Sequence, residues 1–305
     1  MTLLTLHSRT ESAVLPTSNL VPESVVSCRP ELPPDNPFHA PSSLPYHTPA
    51  FDTINVEHFQ PAYLAGMEQQ IAEMKAIAAQ GDAPTFDNTI VAMEKSGALL
   101  TRVRNVFSNL TSSHTNEALQ QIEEELAPLL AAHSDNILLN RELFQRVDAL
   151  WTARESLGLT GEQREVLKQH HENFVRAGAR LTDSDQARIR ALNEQLSTLE
   201  TRFEKNLLAI TKERSVLVDS EEELDGLSSA EIAAAAQAAK GRGHDGKYLL
   251  EIQNTTRVPV LSSLNNRALR QRVWEASAFR GLGRDGGLDN RPLVLEIAKL
   301  RAERA

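Results

Sequence analysis

The chain has 305 residues, long enough for one large or two ordinary domains with a sizeable core. Its formal charge of −9 is carried by interspersed acidic and basic residues with no basic stripe, which argues against a nucleic-acid partner. The single cysteine, Cys28, excludes an internal disulfide framework and a cysteine-based zinc site, and no apolar run approaches the roughly 20 residues of a membrane helix.

Residues 1–35 read as a disordered or non-native N-terminal extension. They hold Pro16, Pro22, Pro30, Pro33 and Pro34 with scattered Ser and Thr, and lack the positive start and apolar run of a secretion signal. Val25 to Cys28 faintly resembles a lipoprotein cleavage site, but Pro22 and Glu23 interrupt the apolar stretch it would need.

From Val56 the pattern is helical almost throughout. Phe59, Tyr63, Met67, Ile71, Met74 and Ala78 mark one face of a first helix ended by Gly81. Ile90, Met93, Gly97, Leu100, Val103, Phe107 and Leu110 predict a second, entered near Thr85 and Asp87. A third starts at Thr115 and carries Leu119, Ile122, Leu126 and Leu129 with a bend at Pro128; a fourth spans about Asp135 to Leu157. Thr160 and Gln163 form a capping box for a fifth, ending near Gly178.

Thr182 then opens the longest pattern. Ile189, Leu192, Leu196, Leu199, Phe203, Leu207 and Ile210 recur at spacings of three and four, the seam of a coiled-coil-like hairpin. At about 1.5 Å per residue, some 30 residues make a rod of about 45 Å, a wall or arm rather than a plain bundle helix.

The character changes near Ser215. Val216–Val218 and Tyr248–Ile252 are strand candidates, separated by an Ala-rich helix from Ser229 to Lys240 that Ser228 and Glu231 cap. A further helix is expected from about Asn265 to Phe279. Asp289 or Asn290 can accept the first free N–H groups of a last helix, in which Pro292 suits the first turn and Val294, Ile297 and Leu300 keep helical spacing. No stop signal follows, so a continuation beyond Ala305 is expected.

Motifs that carry chemistry are incomplete. Gly241-Arg-Gly243-His-Asp-Gly246 and Gly281-Leu-Gly283-Arg-Asp-Gly286 match G-x-G-x-x-G, but helices precede both, and a dinucleotide loop needs a strand before and a helix after. They read as connectors. His170-His171-Glu172 begins like a zincin helix, yet the second histidine of H-E-x-x-H would fall at Val175. The runs Glu123–Glu125 and Glu221–Glu223 read as solvated helix faces and helix starts. The residues therefore assign no catalytic, cofactor-binding or metal-ligating position.

Several strings carry a resemblance. Asn36-Pro37-Phe38, Ser43-Leu-Pro-Tyr46, Phe51-Asp-Thr-Ile54, His58-Phe-Gln-Pro-Ala-Tyr63, Pro84-Thr-Phe-Asp-Asn-Thr-Ile90, Glu94-Lys-Ser-Gly97, Ala131-Ala-His-Ser-Asp135, Phe174-Val-Arg-Ala-Gly-Ala179 and Leu300-Arg-Ala-Glu-Arg-Ala305 follow one another in order. Each is weak alone; as an ordered set they resemble the start of dipeptidyl carboxypeptidases, the peptidyl-dipeptidase branch of the thimet oligopeptidase family of zinc metallopeptidases.

The resemblance implies a mainly α fold, in which long antiparallel helices form a channel-wall lobe with a minor β element near 215–253. It implies the incomplete N-terminal half of a two-lobed metallopeptidase that in full length releases C-terminal dipeptides from oligopeptides. The family's H-E-x-x-H and later glutamate ligand fall beyond Ala305, so zinc is implied for the full-length protein and none for this chain, which is expected to be inactive alone. The expected organisation is a 1–35 extension, a 36–214 long-helix region and a 215–305 helical segment with short strands, truncated at 305. Short peptides are the implied partners, with no nucleic acid and no membrane, and unpartnered apolar helix faces point to self-association. The expected compartment is the cytoplasm, with the periplasm as the alternative. A stand-alone helical scaffold, or a non-functional fragment, is the rival reading.

Overall fold

The computed structural model describes residues 32–305, the side chain of Asp285 excepted. Most of the proposed N-terminal extension, with Cys28, Pro16, Pro22 and Pro30, lies outside the described residues. Leu32, within that extension, is buried in the first core cluster.

Helix α1 (Phe59–Ala78) follows a 3-10 turn at Val56–His58 and buries Phe59, Tyr63, Met67 and Met74 on one side, close to the expected face. The chain before it is pinned to it. Phe38 lies 5.4 Å from Phe59, which meets Phe107 edge-on at 5.1 Å, and Arg102 donates to the Phe38 carbonyl at 2.8 Å. Aromatic contacts and a charge-assisted bond thus fix the segment that enters the bundle.

The expected second helix is not continuous. Thr85 and Asn88 cap a π-helical turn (Phe86–Val91) that runs into the short α2 (Ala92–Lys95); the chain then breaks and restarts as α3 (Ala98–Ser113). Ser96 is extended and Gly97 takes φ +67, where its N–H donates to Glu73 Oε2 at 2.7 Å. Apolar spacing alone cannot register such a phase change, because Met93 and Leu100 keep helical intervals across the break.

Two boundaries also move. Helix α4 (Glu117–Leu138) starts at Asn116, whose Oδ1 accepts from Leu119 N at 2.9 Å, and runs through Pro128 to the residues expected to begin the next helix. Helix α5 (Arg141–Ala153) begins instead after Asn140, which caps Leu143 N at 2.8 Å, so Asp135 sits in the last turn of α4.

Helix α6 (Gly161–Ala177) has the expected capping box at Thr160 and Gln163 and stops at Gly178, in the left-handed region at φ +104. That residue lets the chain reverse into α7 (Asp183–Glu213), a helix of 31 residues capped by Thr182. Helix α7 packs along α4 and receives α11 (Arg291–Arg304). Its seam is covered unevenly: Leu192, Leu196 and Ile210 are buried, whereas Leu207 is exposed.

Beyond α7, β1 (Val216–Val218) pairs antiparallel with β2 (Tyr248–Leu250), Val216 opposite Leu250. Helix α8 (Ser229–Gly241), capped as expected by Ser228 and Glu231, connects them. Helix α9 (Asn254–Ser263) is an addition to the expected elements, and α10 (Arg267–Ala278) matches the helix expected there. The two strands, α9 and α10 close over Val218, Leu224, Ile252, Leu264 and Val273. The architecture is mainly α with a two-stranded sheet, as expected.

At the start of α11 Asp289 Oδ1 accepts Arg291 N at 3.0 Å, while Asn290 accepts from Asn206 of α7. Asn206 and Asn290 so fasten the two helices at one end, and Leu300 packs against Leu192 and Leu196 further along.

Candidate functional site

The histidine pair singled out in the sequence sits on α6. Consecutive helical positions point about 100° apart, so the two rings address different neighbours. His170 Nε2 lies 2.6 Å from Glu94 Oε1 of α2, and His171 Nε2 lies 3.0 Å from Asp148 Oδ1 of α5. On α5, Phe144, Asp148 and Trp151 follow at four and three residues, one helix face. His171 is stacked against Trp151 at 4.9 Å and 15° and lies 6.0 Å from Phe144. Arg180, in the turn between α6 and α7, donates to Asp148 at 3.0 Å. Burial opposes the charge on Asp148, but the bonds from His171 and Arg180 outweigh it and hold the carboxyl below its ordinary range.

A zinc ion does not fit these residues. Val175 occupies the place of the second motif histidine, each ring is engaged by a different helix, and among the described residues no three His, Cys, Asp or Glu side chains converge. The glycine motifs lie where connectors were expected. The first ends α8 and leads to β2; the second turns from α10 into α11, closed by a bridge between Leu282 and Asp289.

An open cleft of about 770 Å³ lies between α4, the end of α6, α7 and α11. Asp135, Asn193, Arg301 and Arg304 are among the residues that line it. Asn193 donates to Asp135 Oδ1 at 2.7 Å and accepts from Arg304 at 3.1 Å, and Arg301 bonds Glu200 at 2.6 Å. Burial pushes the Asp135 carboxyl up, against the bond from Asn193 and the charges of Arg190 and Arg304. In the N-terminal half of α4, Glu123 is half-buried rather than solvated as expected. Burial first, then Glu204 and Glu124, raises its carboxyl, while Glu124 and Glu125 are exposed.

Sequence reasoning did not single out Asp135, Asp148 or Asn193. The available signal was a carboxylate inside an apolar face, as Asp148 is between Phe144 and Trp151.

No family model matches the chain. It is 42% identical over 270 residues to a dipeptidyl carboxypeptidase of Escherichia coli (strain K12), an alignment covering 88% of this chain and 40% of that protein. It is 41% identical over 266 residues to a dipeptidyl carboxypeptidase of Salmonella typhimurium (87% and 39% covered), and 28% identical over 261 residues to an oligopeptidase A of Haemophilus influenzae (84% and 38%). The chain spans about two-fifths of the length of the curated relatives it matches.

Fold and relatives first define a class: a mainly helical chain related to peptidases over most of its length. Within it, the resemblance read from the sequence to the thimet oligopeptidase family is borne out: dipeptidyl carboxypeptidases and oligopeptidases A align with most of this chain and with about two-fifths of their own length.

Proposed function

We propose that this chain is the N-terminal, non-catalytic part of a zinc-dependent peptidyl-dipeptidase that in full length releases C-terminal dipeptides from oligopeptides. In this reading α4, α7 and α11 supply substrate-channel wall and scaffold, and zinc and its ligands belong to the remainder of the protein. The observation that carries it is the 42% identity across 88% of the chain to a dipeptidyl carboxypeptidase of which it spans 40%. The lack of fit between zinc and the histidines of α6 supports placing the metal elsewhere.

We propose a regional boundary at 214/215. The third core cluster supports it, since all its buried members lie between Val216 and Ala276, although α11 folds back on α7. No helix among the described residues is long and apolar enough to cross a membrane. We place the protein in the cytoplasm, with short peptides as substrates of the whole enzyme.

The test is reconstitution. The 305-residue chain is assayed for bound zinc and for dipeptide release from an amino-blocked tetrapeptide, alone and with the separately produced remainder of the Escherichia coli relative. The expected result is no stoichiometric zinc and no hydrolysis alone, with complex formation and dipeptide release on mixing. Chelator-sensitive hydrolysis by the chain alone overturns the non-catalytic role, and failure to associate counts against the wall role.

A further inference from the structure

We propose that Asp148, His171 and Arg180 form a proton-operated link between the α5–α6 core and the turn that starts α7. Both donors reach one oxygen. His171 Nε2 and an Arg180 guanidinium nitrogen each lie 3.0 Å from Asp148 Oδ1, and the two nitrogens are 3.4 Å apart. A carboxylate oxygen can accept from both while the imidazole is neutral. Once the ring takes a proton, two cations face each other across a single negative charge.

The contest is unequal. The His171 side chain is 9% exposed, walled by Trp151 and Phe144, whereas the Arg180 side chain is 58% exposed. A buried cation that loses its carboxylate bears the full desolvation penalty, while an exposed guanidinium recovers its hydration. The imidazolium therefore keeps Asp148, and Arg180 lets go. Arg180 stands two residues after Gly178 and two before the Thr182 cap, so its release loosens the reversal between α6 and α7.

Neighbouring charges are otherwise engaged. His170 is held by Glu94 of α2, Glu172 by Arg176 within α6, and Arg154 lies 4.3 Å over the Trp151 ring. On the other elements packed against α6, Asp135 of α4 is bonded to Asn193 and Asp87 of the π turn is exposed. Asp148 is the carboxylate bonded to His171.

The two tryptophans are Trp151 and Trp274, and Trp274 is exposed, so Trp274→Phe leaves a single reporter stacked on the switch. In that background, Trp151 emission and amide exchange of residues 179–186 are followed from pH 8 to 5, the range in which histidine changes charge. The imidazolium quenches a stacked indole, so emission falls on acidification, and exchange at 179–186 rises several-fold over the same interval. His171→Gln abolishes both changes. Arg180→Gln keeps the emission change but leaves exchange high at every pH. Asp148→Asn, which spares the ring packing, moves the emission change to lower pH and uncouples it from exchange. Flat exchange in the parent, or an emission change that survives in His171→Gln, overturns the proposal.

Discussion

Asn206 of α7 donates its amide N–H to Oδ1 of Asn290 at 2.8 Å, across 84 positions of sequence. Asn290 is 4% exposed, and its backbone N–H donates to the Gly281 carbonyl at 2.8 Å. One side chain so ties the turn after α10 to the longest helix. Asn290→Ala leaves the Asn206 amide without its partner and is expected to cost about 1–3 kcal/mol. Urea unfolding checks this. Adding Asn206→Ala costs less than the sum of the two single changes, because they share one bond.

Arg146 is a second fastening. Its buried guanidinium donates to the carbonyls of Gln80 and Asp82 at 3.0 and 3.1 Å and to Asn88 Oδ1 at 3.0 Å, while its Nε has no partner among the described residues. It holds the loop between α1 and the π turn. Arg146→Ala is expected to cost about 3 kcal/mol or more by leaving buried acceptors unpaired. Arg146→Lys recovers little, since one ammonium cannot span three acceptors. A shifted midpoint of the long-helix transition in urea, with its slope unchanged, is the expected readout.

Gly97 must stay glycine. At φ +67, a Cβ there would stand 2.5 Å from the Gln70 amide, so Gly97→Ala carries both backbone strain and a clash. A loss of about 1–3 kcal/mol is expected. Gly81→Ala is the control: nothing lies within 4 Å of its Cβ, and a change within about 1 kcal/mol is expected. Equal losses at the two positions would contradict the break at Ser96–Gly97.

His133 gives a pH dependence of known sign. Ser96 donates its hydroxyl proton to the Met93 carbonyl at 2.7 Å and so accepts from Gln70 Nε2. Gln70 Oε1 then faces His133 Nε2 at 2.8 Å, which assigns the ring proton to that nitrogen. Burial lowers the imidazole from its ordinary value. Below the unfolded value, about 6.5, the unfolded chain binds more protons than the folded one, so stability falls as pH drops through that value. Asp135 works in the opposite sense: its raised carboxyl erodes stability as pH rises above about 3.9. His133→Gln is expected to flatten the stability profile below about pH 6.5, measured by urea unfolding at fixed salt.

Where a few adjacent residues decide an element, the sequence was readable. Thr160 with Gln163 and Ser228 with Glu231 are reciprocal caps, closed within four residues and independent of the remaining fold. Gly178 likewise ends α6 by its own backbone freedom. The break at Ser96–Gly97 was hidden because Glu73 and Gln70 of α1 hold it from outside. Helix α9 was missed because Thr255, Thr256, Val258 and Pro259 speak against a helix, and tertiary burial of Val260 overrides them. At the histidines, spacing could show that Val175 spoils a metal motif, but it could not show Asp148 and Arg180 meeting on one oxygen.

The third core cluster is assembled entirely from residues 216 to 276 and shares no buried member with the clusters before it. Such a layer can open without dismantling the long helices, and the long helices can loosen without exposing it. On the proposed boundary at 214/215, unfolding is expected to proceed in two cooperative events, and calorimetric and van't Hoff enthalpies of the chain are expected to disagree.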